Sequence, residues 1–167
     1  ATLDVLSNGR VDAGFGVGWQ REEYDACGVP FDGRFSLLEE QIQVCRTLWR
    51  DAPARFKGKT MQFEGIHCEP RPLQPGGIPV WLGFSPSPRA FDRIARCGDG
   101  WIRPDPDPVK LGEDIKALRG AFVSHGRAPE SLTVRGQVTQ VTQADGTPDV
   151  EATLARTPAY VAAGVDV

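Results

Sequence analysis

Two short stretches hold the residues whose types and spacing could do chemistry. In GRVDAGFGVGWQREEY, residues 9–24, Gly16 and Gly18 flank Val17 and lead into Trp19, where an alternating apolar run gives way to charge. Glycines bring backbone amides within contact distance of a flat ring or a phosphate, and an adjoining aromatic can wall a planar ligand. The same glycines also suit a tight turn, with Trp19 then in the core, and the pattern is not the GxGxxG dinucleotide fingerprint. In the second stretch, Gly83-Phe84-Ser85-Pro86-Ser87 directly precedes a helical pattern. Hydroxyls and free amides at a helix N-terminus favour an anion such as a phosphate; alternatively, Ser85 or Ser87 simply caps the helix.

The remaining reactive side chains form no recognisable machinery. Glu22 and Glu23 follow Trp19 and either touch a substrate or form a solvated face. His67 falls in a hairpin and His125 just before Gly126, both read as surface residues. No serine–histidine–acid set or paired carboxylates can be assembled, so no catalytic residue is assigned. Cys27, Cys45, Cys68 and Cys97 are widely spaced, with no CxxC pair and no histidines at ligand spacing. Neither a metal site nor a redox dithiol is expected, and the thiols are read as reduced.

These residues need elements to hold them. Val11, Ala13, Phe15 and Val17 alternate, which predicts a strand over 10–17, followed by a short acidic turn. Phe35, Leu38, Ile42, Cys45 and Trp49 recur at steps of three and four, an amphipathic helix starting at Asp32 or Gly33. Lys57-Gly58-Lys59 turns a small hairpin that the Pro70/Pro72 pair ends. A strand over 78–84, a short helix capped by Gly98, a brief strand in DGWIRPD and a helix with Leu111, Ile115, Leu118 and Phe122 on one stripe follow. The last predicted elements are a strand within SLTVRGQVTQVT and a helix over 149–163. Strands alternating with helices imply an α/β fold with a parallel sheet and right-handed crossovers, in which ligands gather at the carboxyl ends of the strands.

The composition narrows the partners. The chain has 167 residues, 40% apolar content and a net charge of −3, values of an ordinary globular domain without a basic field. Nucleic acid and membrane partners are therefore not expected, no apolar run reaches spanning length, and a cytoplasmic location is the default. ATLDVLSNGR reads as the last turns of a helix closed by Asn8-Gly9, and TPAYVAAGVDV as a helix entering another strand, so both ends look cut from something longer.

LDVLSNGRVDAGFGVGWQREEYDACGVPFDGRFSLLEE, LWRDAPARFKGKTMQFEG, PRPLQPGGIPVWLGFS and RIARCGDGWI occur in an order and spacing that resembles the luciferase-like monooxygenase family, especially its coenzyme F420-dependent oxidoreductase branch. The resemblance covers nearly the whole chain. It implies one domain, residues 1–167, forming part of a (β/α)8 TIM barrel with an inserted β-hairpin and incomplete at both ends. It further implies a flavin- or deazaflavin-dependent oxidoreductase or monooxygenase acting on a small organic substrate, with coenzyme F420, or alternatively FMN, as cofactor, and a homodimer. The implied cofactor-binding residues are Gly16, Val17, Gly18 and Trp19, with Val17 and Gly18 against the ring system, and Gly83, Phe84, Ser85 and Ser87 on the phosphate side. Trp19 stands where some F420-using dehydrogenases carry a glutamate, and Phe84 and Ser85 depart from the commoner Gly-Gly-x-Ser form. The catalytic acid or base is expected before Ala1. On this reading, Gly18→Val should abolish cofactor binding while leaving folding largely intact.

Overall fold

A computed structural model describes residues 1–103, 105 and 107–166. The chain divides into two compact units, Ala1–Val80 and Trp81–Val167.

The first unit opens with α1 (Thr2–Leu6), which Asn8 (φ 57°) and Gly9 (φ 75°) close in left-handed backbone. Asp4 on α1 is fully buried. Its carboxylate accepts the backbone N–H groups of Val11, Leu73 and Gln74 at 3.4, 2.8 and 3.3 Å, and the Gln74 side-chain amide at 2.9 Å. One short side chain thus joins segments about seventy residues apart, and it does so only as a carboxylate, because every partner is a donor.

β1 (Ala13–Phe15) follows and is shorter than the predicted strand. Its Ala13 N–H donates to Pro79 O at 2.9 Å. The expected acidic turn contains a helix, α2 (Arg21–Ala26), with Glu22 and Glu23 in its first turn. α3 (Arg34–Arg50) starts after Gly33, whose φ of 82° explains the glycine there. β2 (Ala54–Lys57) and β3 (Gln62–Ile66) form the predicted antiparallel hairpin, with Phe56 opposite Phe63. Glu40 on α3 clasps its turn, accepting from Thr60 N (2.8 Å), Thr60 Oγ1 (2.6 Å) and Met61 N (3.1 Å). A Cβ at Gly58 would fall on this carboxylate and on the edge of the Phe56 ring, so a larger residue there would displace the clasp.

From the end of the first unit onward, β4 (Val80–Leu82), α4 (Pro88–Cys97), β5 (Gly100–Ile102), α5 (Pro108–Ser124) and β6 (Thr133–Arg135) alternate as predicted. β4 pairs parallel with β5, and β5 with β6. Successive strand residues point to opposite faces. Leu82, Trp101 and Val134 share one face and are fully buried, with Phe91 of α4 meeting Trp101 edge-on at 5.7 Å. The α5 stripe of Leu111, Ile115, Leu118 and Phe122 is buried as its spacing predicts.

Two sequence expectations fail near the end of the second unit. The single strand within SLTVRGQVTQVT is two: β6, and β7 (Val141–Thr142), which pairs antiparallel with β8 (Pro148–Asp149) around Asp145-Gly146, where Gly146 has φ 85°. The helix over 149–163 is also two, α6 (Val150–Leu154) and α7 (Thr157–Ala163). Pro158 separates them, since its ring lacks an N–H and would clash with the carbonyl of residue 154 in a continuous helix. After α7, Asp166 N donates to Val134 O and the Asp166 carboxylate accepts from Val134 N, both beside β6.

Candidate functional site

The Gly16–Trp19 turn lies just beyond the carboxyl end of β1. Gly18 has φ +66°, left-handed backbone that a β-branched residue rarely adopts, and a Cβ there would sit 3.4 Å from the Tyr24 ring. Gly18→Val is therefore strained before any ligand enters, which corrects the expectation that folding would be left largely intact. Trp19 is 83% exposed, so it is not a core residue. Gly16 and Gly18 are exposed and Val17 is half-buried.

The turn is braced by residues that motif reading passes over. The Tyr24 hydroxyl on α2 donates a hydrogen bond to Val17 O. Its ring meets Phe31 edge-on at 5.3 Å, and Phe31 in turn carries the guanidinium groups of Arg21 and Arg34 at 4.4 and 3.8 Å from its ring centre. The available signal was an aromatic six residues beyond a flexible glycine, within reach once the intervening segment turns into a helix. Glu22 and Glu23 are exposed beside it, the solvated alternative raised by the sequence.

In the second unit, Gly83, Ser85 and Ser87 are exposed between β4 and α4, whereas the Phe84 ring is buried and its carbonyl accepts the Trp101 indole N–H at 3.0 Å. Ser87 is the N-cap of α4, its Oγ accepting from Ala90 N at 3.2 Å. Capping consumes a lone pair and leaves the hydroxyl proton free to donate, so the cap and an anion site are compatible. Pro88 removes one helix N-terminal donor. What remains for an anion is the Ser85 and Ser87 hydroxyls and the amides around them, favoured by the dipole of the ten-residue helix α4.

Elsewhere the ionisable groups are structural. Burial pushes the Asp4 carboxyl up, but the Gln74 side chain and three backbone amides outweigh it and hold it below the ordinary 3.8. His67 is exposed; His125 pairs through Nε2 with Asp92 at 2.9 Å, and this bond holds the Asp92 carboxyl low. Burial, with Cys68 nearby, pushes the Cys45 thiol up, away from a reactive thiolate. Among the described residues, no three His, Cys, Asp or Glu side chains gather as a metal site, and no helix is long and apolar enough to cross a membrane.

Comparison with known proteins identifies the family and the fold. The profile of the luciferase-like monooxygenases matches residues 1–163. An uncharacterized protein of Mycobacterium tuberculosis is 39% identical over 127 residues, 76% of this chain and 44% of the relative. Among solved structures, the monooxygenase RslO1 from Streptomyces bottropensis superposes with a TM-score of 0.72 at 20% identity, covering 98% of this chain and 50% of that one. An F420-dependent secondary alcohol dehydrogenase, in complex with an F420–acetone adduct, gives 0.69 at 22% identity over 81% of this chain and 42% of its own. At such identities the superpositions establish the fold alone. The chain spans about half the length of these proteins or less.

Proposed function

The chain belongs to the luciferase-like monooxygenase family, with a partial (β/α)8 barrel fold, and on that premise we propose that it is the cofactor-binding portion of a flavin- or deazaflavin-dependent oxidoreductase acting on a small organic substrate. The observation that carries this reading is the turn beyond β1: two exposed glycines, one in left-handed backbone, beside a tryptophan that nothing buries.

Each residue then has a task. Gly16 and Gly18 keep the approach to the ring free of side chains, and the Val17 carbonyl is fixed by Tyr24 so that the backbone presents one conformation. Trp19 walls the planar ring and excludes water; lacking a titratable group, it moves no proton, unlike the glutamate some family members carry at this place. Ser85 and Ser87 donate to the cofactor's phosphate at the start of α4, with Gly83 admitting it, while the Phe84 ring anchors the loop in the core. Coenzyme F420 is the proposed cofactor and FMN the alternative; the first supplies hydride transfer, the second, when reduced, activation of dioxygen. A homodimer in the cytoplasm is the proposed setting.

The test is equilibrium binding of F420 and FMN to the wild-type chain and to Ser85→Ala/Ser87→Ala. Saturable binding of either cofactor, weakened about tenfold or more by the double substitution, is the expected result. Failure of both cofactors to bind would overturn the assignment.

A further inference from the structure

The face of the β4–β5–β6 sheet opposite Leu82, Trp101 and Val134 carries Trp81, Gly100, Ile102, Thr133 and Arg135, by strand alternation and register. Arg135 is the last residue of β6, at the carboxyl end of a parallel strand where α/β folds collect their ligands. Its guanidinium is exposed and lies over the Trp81 indole, 5.7 Å from the ring centre. Among the described residues it has no carboxylate partner, whereas Arg103 on the neighbouring strand end is paired with Asp105 at 2.8 Å.

The indole is held in place by a missing side chain. A Cβ at Gly100 would fall 2.5 Å from Trp81 Cδ2, so the ring lies flat across β5, and no other residue could stand at position 100 without expelling it. A guanidinium resting on a ring face keeps its N–H edge free and loses little further freedom on binding, which suits a two-pronged grip on a carboxylate or phosphate.

We propose that Arg135, seated on Trp81, is an anion-recognition residue that grips a phosphate or carboxylate of the ligand entering at the carboxyl ends of β4–β6. This rests on the cofactor-site reading above only for the ligand's entry side. The anion belongs either to the cofactor or to the substrate.

The test compares Arg135→Gln and Arg135→Lys with the wild-type chain, each checked for an unchanged melting temperature, in titrations with FMN, riboflavin, coenzyme F420, its phosphate-free deazaflavin core, and inorganic phosphate. If the anion is the cofactor's, Arg135→Gln weakens FMN or F420 about tenfold or more, spares the phosphate-free analogues, and Arg135→Lys recovers part of the loss. If it is the substrate's, all ring ligands bind unchanged, and inorganic phosphate binding to the cofactor-loaded chain is lost in Arg135→Gln. Should no flavin or deazaflavin bind even to wild type, the cofactor reading fails on its own, and loss of phosphate binding by Arg135→Gln still supports the anion role. Equal binding of every probe by wild type and Arg135→Gln, or an equal fall for FMN and riboflavin, overturns it.

Discussion

α3 and α5 are both 17 residues long and both carry an apolar stripe, yet they sit in very different surroundings. In the second unit, Leu111, Ile115, Leu118 and Phe122 on α5 are all buried. In the first, only Ile42 of the α3 stripe is; Phe35, Leu38, Cys45 and Trp49 are half-covered. Leu38, Ile42, Cys45 and Trp49 border an apolar cavity of about 300 Å³, together with Phe15, Met61 and Val80. Periodicity therefore reports which face of a helix seeks cover, not how completely it is covered. The first unit compensates with polar fasteners, Asp4 and Glu40, each satisfying several backbone amides at once. The second has such fasteners too, Asp166 on Val134 and Arg127 on the Ala95 and Gly98 carbonyls, and adds a fully buried stripe.

The contrast can be broken at its strongest point. Phe122→Ala should cost about 3–5 kcal/mol in chemical denaturation, because a fully buried ring leaves a cavity, whereas Leu38→Ala should cost under about 1.5 kcal/mol. Equal costs would mean that the two cores do not differ.

Asp4→Asn should lower the melting temperature at pH 7 by roughly 5–10 °C, since the amide cannot accept every bond the carboxylate does. The folded-state value lies below the unfolded 3.8, so the stabilisation is present above that pH and is lost as pH falls through the folded value. The gap between wild type and Asp4→Asn should accordingly close below about pH 4. A gap that persists to lower pH would show that the charge is not the cause.

A smaller effect is expected at the brace. Tyr24→Phe keeps the ring against Phe31 and removes only the donor to Val17 O. It should weaken F420 or FMN binding by about tenfold with a stability change of about 1 kcal/mol or less; unchanged affinity would make Tyr24 a purely structural contact. Smallest of all, Cys45→Leu should fill part of the cavity beside α3 and raise stability by roughly 0.5–1 kcal/mol. Destabilisation would show the space to be too tight for the added carbon atoms.

The elements with clear periodicity and punctuation were legible in the sequence: α3 with Gly33 before it, the hairpin turned at Gly58, α4 ended by Gly98, and the α5 stripe. The failures have particular causes. The six residues of α2 carry charge and no apolar stripe, and Pro158 divides the 149–163 segment, whose residue pattern alone suggests one helix. Asp145-Gly146 is a turn signal in the sequence, and it divides the segment after β6 into the β7–β8 hairpin. For the candidate site, glycine spacing points to the turn beyond β1, but Tyr24, Phe31 and the pairing of Arg135 with Trp81 depend on contacts between residues seven to fifty-four positions apart, which glycine spacing does not encode.

The central claim is that the Gly16–Trp19 turn approaches the cofactor ring. The most direct measurement is tryptophan emission during titration with F420 and with FMN, in wild type and Trp19→Phe, so that their difference isolates Trp19. Trp81 and Trp101 are buried, while Trp19 stands in solvent. A saturable loss of the Trp19 contribution, following the same curve as cofactor binding, is the predicted result. Cofactor binding that leaves the Trp19 contribution unchanged, or no binding of either cofactor, would contradict the account.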